Sequence, residues 1–197
     1  MTGSTSDKSD GWLLPWVLTA IEGALIAFVI ANYETLIPYH WESFTTPDGR
    51  LSLEFPGKAV ADDQQRTLSG GGTVTVHMVG TQTADRKYYS FARDNLQDSL
   101  DRSADDRLDS ARDGAIKNVQ GHLLSEKRIT VQTFPAREIQ AHIRGEMFLD
   151  ARLIAVEDQL LMLMVMSPSE NSRDAKNIQN FYDSFKIHPL MAPNVGH

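Results

Sequence analysis

The sequence contains no cysteine, which excludes disulfides, thiolate metal sites and cysteine nucleophiles. It also lacks a continuous basic stretch, because its 19 Lys and Arg residues are scattered among 26 Asp and Glu residues and the net charge is −7. Binding to nucleic acid is therefore not expected, since phosphates are neutralised by clustered positive charge.

Metal-binding motifs are missing as well. The histidines form no i,i+4 pair and no HExxH pattern. We therefore predict no metal site and no cofactor, and we interpret the two histidines in predicted strands, His77 and His142, as side chains satisfied on a sheet face. The six histidines are His40, His77, His122, His142, His188 and His197.

Patterns of catalytic residues are equally sparse. The triple glycine at 70–72 lacks the Lys-Ser/Thr of a phosphate loop and lies between two strand patterns, which favours a hairpin loop. The adjacent carboxylates at 62–63 and 105–106 point apart on a strand or around a helix, so neither pair can act on one substrate atom. With no GxSxG elbow either, the sequence predicts no catalytic residue and a protein that is not an enzyme.

One long apolar stretch is present at the start of the chain. From Trp12 to Tyr33 the only formally charged residue is Glu22, and about 20 apolar residues in a helix cross the roughly 30 Å hydrocarbon core of a bilayer. This predicts a transmembrane helix over 11–37, although small residues before Asn32 also fit the cleavage site of a signal peptide. Aromatic residues at both ends fit the two membrane interfaces; they are Trp12, Trp16, Tyr33, Tyr39 and Trp41.

Small side chains recur every four residues on one side of that predicted helix. Thr19, Gly23, Ala27 and Ala31 form the strip, and such strips let the backbones of membrane helices approach closely. Glu22 lies beside it, and an acid at mid-bilayer is costly unless it faces protein. The pattern favours helix packing against integral membrane partners over plain anchoring in the lipid bilayer.

Charges at the two ends of the stretch suggest an orientation. The first ten residues carry Lys8 and the free amine, whereas the far flank begins with acidic residues. We expect the N-terminus in the cytoplasm and the following domain outside it, on the periplasmic side of a bacterial inner membrane. The resulting division is a polar tail over 1–10, the membrane helix over 11–37, an extracytoplasmic domain over 38–188 and an extended tail over 189–197.

The predicted domain is rich in strands. A hairpin is expected around the turn at 46–49, and period-2 alternation predicts further strands up to about residue 95. Helical spacing predicts a helix over 104–120, capped by Ser103 and ended by Gly121. Four strands and a final helix from Ser169 follow, with the apolar segment that contains Met162, Met164 and Met166 in a central strand. The fold class is α+β, an antiparallel β-sheet domain flanked by helices.

The domain resembles a bacterial family found behind single membrane anchors. Its blocks FTTPDGRLSLEFPGK, RLDSARDGAIKNVQGHLLSEKRI, FPAREI and FYDSFKI occur in order over about residues 41–188, and that family is similar in design to the PsbP-like fold, an antiparallel sheet covered by helices on both sides. Ala136 stands where the family commonly has glycine. The resemblance implies an accessory role, since PsbP-like proteins are extrinsic subunits of photosynthetic membrane complexes.

These observations lead to one functional hypothesis and two alternatives. We expect a single-pass accessory subunit that docks on a larger membrane complex, with a photosynthetic or respiratory host as the most economical choice. The first alternative is a tethered envelope domain that binds a small ligand, or a peptide at a sheet edge. The second is an enzyme, which would need a cleft that gathers His142, Asp150 and Arg152.

Overall fold

The computed structural model of the chain describes residues 40–67, 73–95 and 102–188. These ranges contain ten strands and two α-helices. The strands are β1 (Glu42–Thr45), β2 (Leu51–Phe55), β3 (Val60–Thr67), β4 (Thr73–Gln82), β5 (Tyr88–Asn95), β6 (His122–Val131), β7 (Phe134–Ile143), β8 (Met147–Val156), β9 (Gln159–Ser167) and β10 (Lys186–Ile187). The helices are α1 (Ala104–Asn118) and α2 (Ala175–Ser184).

The strands form two antiparallel sheets. The small sheet has the order β1-β2-β10, and the large sheet has the order β3-β4-β5-β9-β8-β7-β6. The predicted hairpin at 46–49 is confirmed, with Phe44 opposite Leu53. The central position predicted for the methionine-containing strand is also confirmed, because β9 lies between β5 and β8.

The large sheet is covered by a helix on each face. On one face, called here the α1 face, Leu108 of α1 packs with alternate residues of β7 and β8 such as Ile139 and Leu153. On the other, the α2 face, residues of α2 and of the small sheet pack on β5 and β9, with Phe181 in contact with Phe55 and Tyr89. The two apolar layers hold the small sheet, the large sheet and both helices together.

The methionines of β9 belong to the apolar layer on the α1 face. Met164 is buried, and Met162 and Met166 pack partly buried against the same layer. The three methionines therefore belong to a core face, because a thioether between sheet and helix fills irregular space as any apolar side chain does.

Helix α1 begins where the sequence predicts and ends differently. The Ser103 hydroxyl accepts a hydrogen bond from the Asp106 N–H at 3.1 Å and caps the helix. At the other end Gln120, not Gly121, adopts the left-handed conformation, with φ of 50°. The Gln120 and Gly121 N–H groups bond to the Lys117 and Ile116 carbonyls, the pattern of a Schellman motif.

The final helix begins later than predicted. Ser169 caps only a 3₁₀ turn over Glu170–Ser172, and α2 begins after Asp174, whose carboxylate accepts from the Asn177 N–H at 3.1 Å. Pro135 lies inside β7, opposite Thr130 on β6. Ala136 is fully buried within the same strand, so no turn forms where the family commonly has glycine.

The membrane anchor in the predicted fold class is corrected. Across 40–67, 73–95 and 102–188, no helix is long and apolar enough to cross a membrane; a span needs about 20 apolar residues. The predicted class is therefore wrong in that part, and the predicted inner-membrane location with a periplasmic domain loses its basis. The fold is an antiparallel, sheet-rich domain with two helices. The predicted segments 1–10, 11–37 and 189–197 lie outside the described residues.

Candidate functional site

Strand β6 forms an edge of the large sheet and is exposed along most of its length. Seven consecutive residues from His122 to Arg128 are exposed, and within the described part of the chain no strand pairs with the outer side of β6. An edge of this kind presents backbone N–H and C=O groups that another extended segment can bond. The edge strand is therefore the first candidate site, as an interface.

Apolar side chains mark one end of this edge. Leu123 is 41% exposed and Leu124 is 56% exposed, and the other large hydrophobic residue with comparable exposure among the described residues is Val60 on β3. The pairing of β6 with β7 is irregular between Leu123 and Ser125. This bulge adds one residue to the strand, so Leu124 has no register partner on β7.

A buried arginine fixes the inner side of β6 to α1. The Arg137 side chain on β7 is 2% exposed, and Nη2 lies 2.7 Å from Asp105 Oδ1 and 3.2 Å from Asp109 Oδ1 on α1. Its Nε lies 2.8 Å from Glu126 Oε1 on β6, although that N–H is not aligned for a hydrogen bond. Burial alone would lower the pKa of Arg137, but Asp105 and Asp109 raise it, so the guanidinium stays charged.

The second candidate site lies on the α2 face, between β7, β8 and α2. Glu138 and Arg152 face each other across the two strands, as do Gln140 and Asp150. Arg152 donates to Glu138 Oε1 at 3.1 Å, and Arg173 donates through Nε to Asp150 Oδ2 at 2.9 Å.

Three of these charged residues, Glu138, Asp150 and Arg173, line a pocket of about 150 Å³. Its floor includes Asp150, which is 4% exposed, and Tyr182, which is 5% exposed. Burial raises the pKa of the Tyr182 phenol, and the charge of Asp150 adds to this, so the hydroxyl stays neutral. That hydroxyl is buried and has no hydrogen-bond partner within the described ranges.

The pocket brings together only some of the residues that the enzyme alternative requires. It does bring Asp150 close to Arg173 and Tyr182, and His142 lies on the same face of β7, with its ring edge-on to Phe148. Both carboxylates, however, already accept hydrogen bonds from arginines, Glu138 from Arg152 and Asp150 from Arg173. The arrangement is suited to binding rather than to proton transfer.

Almost all residues assigned to the predicted membrane helix and its two interfaces lie outside the described part of the chain. Thr19, Glu22, Gly23, Ala27 and Ala31 lie outside the described residues, as do Trp12, Trp16, Tyr33 and Tyr39. Trp41 is partly buried, and its ring packs edge-on against Tyr89 with centroids 6.3 Å apart; its role at a membrane interface stays a prediction.

Two pairs of residues lie close together in the structure but could not be predicted from the sequence. His122 and His142 are opposite each other on β6 and β7, although 20 positions apart in sequence numbering. No group of three or more His, Asp or Glu residues in the described ranges could hold a metal ion. The Arg173–Asp150 pair joins the segment before α2 to β8, and no local spacing indicates it.

Comparison with known proteins establishes the fold. No family model and no curated protein sequence matches the chain. The solution structure of cyanobacterial PsbP (CyanoP) from Synechocystis sp. PCC 6803 is similar to it, with a TM-score of 0.52 and 13% identity over 78% of this chain and 95% of that chain. The crystal structure of PA94, a protein of unknown function from Pseudomonas aeruginosa, has a TM-score of 0.39 and 15% identity over 68% of this chain and 85% of that chain. The likeness to CyanoP confirms a PsbP-like fold and, at this identity, the fold alone.

Proposed function

We propose that this chain is a non-catalytic accessory domain that docks on a larger protein complex, and that strand β6 forms the docking edge. The observation that carries the proposal is the exposed outer side of β6, ten residues long, with Leu123 and Leu124 at its start. Fixed ion pairs in the other candidate site also support a binding role over catalysis.

The backbone of β6 supplies the affinity in this proposal. A partner segment in an extended conformation adds an eighth strand to the sheet, and its main-chain hydrogen bonds are the same as those between neighbouring strands. The contacts of Arg137 with Asp105 on α1 and with Glu126 on β6 favour such docking, because they hold β6 against α1 before the partner binds. A rigid edge loses little conformational freedom on binding.

The exposed side chains of β6 define the chemistry of the partner segment. Leu123 and Leu124 favour apolar residues opposite them. Lys127 and Arg128 are exposed, and the Arg128 side chain is 70% exposed, so an acidic residue of the partner is favoured opposite this end. Cross-strand pairs of both kinds stabilise a sheet by about 0.2–1 kcal/mol each.

Co-purification tests the proposal. The tagged full-length chain is recovered from its native cells, and the proteins that accompany it stoichiometrically are identified by mass spectrometry. We expect the variant Leu123→Lys/Leu124→Lys to lose these partners, because it places two charges where apolar contact is needed. Val60→Lys is the matched control, since Val60 is 39% exposed on β3, at the opposite edge of the large sheet.

Two results would contradict docking through β6. One is the same set of partners with the double lysine variant as with the natural chain. The other is an equal loss of partners with Val60→Lys, which would indicate a general effect of added charge. Circular dichroism of both variants separates failed docking from failed folding.

A further inference from the structure

We infer that, while the domain is not docked, strand β6 pairs with β6 of a second copy of the chain and forms a symmetric dimer. The inference rests on the proposed function, in which β6 is the docking edge, and it names a second occupant of that edge. It is supported by the regular, exposed backbone of β6, by the order of the charges along it and by the position of its bulge.

The open edge of β6 is suited to a copy of itself. Residues 125–131 pair with β7 in regular register, and residues 122–128 are exposed. An exposed edge of regular backbone is a template for another strand. An identical strand that runs antiparallel to it binds with two-fold symmetry, and the contact closes at two copies because the same surface contacts itself.

Symmetry restricts the register of such a pair. Residues opposite each other in a sheet have side chains on the same face, so the two-fold axis passes through one residue of β6. An axis at Glu126 or at Arg128 places that residue opposite its own copy and brings no opposite charges together. An axis at Lys127 instead places Glu126 opposite Arg128 of the second copy, and the same pair recurs on the other side of the axis.

The charged side chains of β6 can form these two pairs. The Arg128 side chain is 70% exposed, and its Nη1 lies 3.5 Å from Asp105 Oδ2, which leaves guanidinium donors for another carboxylate. Glu126 already contacts Arg112 at 2.7 Å and Arg137 at 2.8 Å. Because a carboxylate has about four acceptor positions, a further guanidinium can bond to Glu126 without breaking either contact.

Lys127 at the axis makes the dimer weak. It faces its own copy, and like charges directly opposite each other destabilise a sheet. Glu138, which lies opposite Lys127 on β7, offsets part of this repulsion. The ten residues of β6 are also fewer than the roughly 20–30 that each partner contributes to a stable interface. The dimer therefore dissociates readily and frees β6 for a docking partner.

The bulge of β6 limits the contact between the two copies. The register with β7 shifts between Leu123 and Ser125, and a bulge bends its strand. Regular pairing around the axis therefore covers residues 125–129, and Leu123 and Leu124 lie beyond it. A docking segment that also covers these leucines buries more apolar surface than the second copy does and displaces it.

Single cysteines test the register, because the chain has no cysteine of its own. Opposite Cα atoms of antiparallel strands are about 4.5–5.5 Å apart, within the range that a disulfide joins. We expect the purified full-length Lys127→Cys variant to form a disulfide-linked dimer on mild oxidation. Ser125→Cys is the matched control and should cross-link about tenfold more slowly or not at all, since four residues at about 3.4 Å each separate it from its copy.

Charge reversal tests the pairing of Glu126 with Arg128. Sedimentation equilibrium of the natural chain should show a monomer–dimer equilibrium that depends on concentration. Arg128→Glu should raise the dissociation constant by about tenfold, because symmetry replaces two attractive pairs with two repulsive ones. Arg144→Glu, in the exposed β7–β8 turn, is the control with the same change of charge.

Three results would overturn the inference. One is a natural chain that stays monomeric at all concentrations. Another is equal cross-linking of Lys127→Cys and Ser125→Cys, which would indicate random collision or a dimer through another segment. The third is an unchanged dissociation constant in a folded Arg128→Glu variant. A monomeric chain whose native partners are still lost with Leu123→Lys/Leu124→Lys would overturn the dimer and leave docking through β6 supported.

Discussion

Gln132 combines an unusual backbone with two hydrogen bonds. Its φ of 53° lies in the left-handed region, which disfavours residues other than glycine, asparagine and aspartate. The side-chain amide donates to the Ile187 carbonyl at 3.2 Å and accepts from the Ile187 N–H at 2.9 Å. Gln132 therefore pairs with β10 as a neighbouring backbone would, and the sequence cannot show it because the two residues are 55 positions apart.

Tyr182 provides a test at the same scale. We expect Tyr182→Phe to keep or raise the free energy of unfolding in urea, by up to about 1 kcal/mol, because it removes a buried hydroxyl that has no partner. Tyr182→Ala should lower it by about 3–5 kcal/mol, since the ring packs against Phe181 and under Arg152.

A clear loss of stability in Tyr182→Phe would contradict this expectation. It would mean that the hydroxyl has a partner in solution.

At the scale of secondary-structure elements, two glycines allow a comparison, because an added Cβ has space at one and meets close contacts at the other. Gly114 lies inside α1 with nothing within 4 Å of an added Cβ, whereas a Cβ on Gly80 in β4 would lie 2.9 Å from the Tyr89 carbonyl oxygen and 2.5 Å from the Tyr88 hydroxyl. We expect Gly114→Ala to raise the free energy of unfolding by about 0.5–1 kcal/mol, because alanine is the better helix former.

Gly80→Ala should lower it, because the backbone of β5 cannot move away without breaking the β4–β5 register. Thermal unfolding followed by circular dichroism compares the two variants. Equal effects of both substitutions would show that local propensity, rather than contact, sets the response at position 80.

Most helices and strands can be predicted from local sequence patterns, but the residues at which they end cannot. Period-2 alternation locates strands such as β2, in which Leu51, Leu53 and Phe55 are buried and the residues between them are not. The Ser103 cap locates the start of α1. The C′ residue of α1 is Gln120, because the hydrogen bonds of the Schellman motif fix the last turn of the helix there. The sequence indicates Gly121 instead, since glycine is the usual residue at this position. Likewise, hydrogen bonds between Ser169 and Ser172 close a 3₁₀ turn before α2.

The candidate sites were less predictable than the elements. Strand β6 looks like its neighbours in sequence, and its edge position follows only from spatial order. Glu138 and Arg152 form a pair because β7 and β8 lie in one particular register. A shift by one residue would turn every one of these side chains to the other face, so no residue count along the chain could reveal the pocket.

At the scale of the whole molecule, low pH should destabilise the fold over a pH range that the lowered pKa values of its carboxyl groups define. Burial opposes ionisation of Asp48, but hydrogen bonds from Thr46 and Arg93 lower its pKa from 3.8 to about 2. Bonds from Arg137 and from Arg112 lower the pKa values of Asp105 and Asp113 as well. Since these carboxyls bind protons more readily when unfolded, their contribution is complete above pH of about 4 and is lost as the pH falls toward 2.

We therefore expect the midpoint of thermal unfolding to fall steeply between pH of about 4 and 2. Asp48→Asn should be less stable than the natural chain at neutral pH, and the difference should shrink toward pH of about 2. Glu42→Gln, an exposed substitution on β1, is the control. A constant difference between Asp48→Asn and the natural chain at all pH values would contradict this origin.

The insertion of β9 between β5 and β8 has a consequence for synthesis on the ribosome. Strands β3, β4 and β5 are synthesised well before the strand that pairs with β5, because β9 ends only at Ser167. Until then, Tyr89 and Phe91 lie on an open strand edge, which can pair with another nascent chain. The domain is thus protected from aggregation late in translation, when Gln159–Ser167 leaves the exit tunnel and closes the sheet.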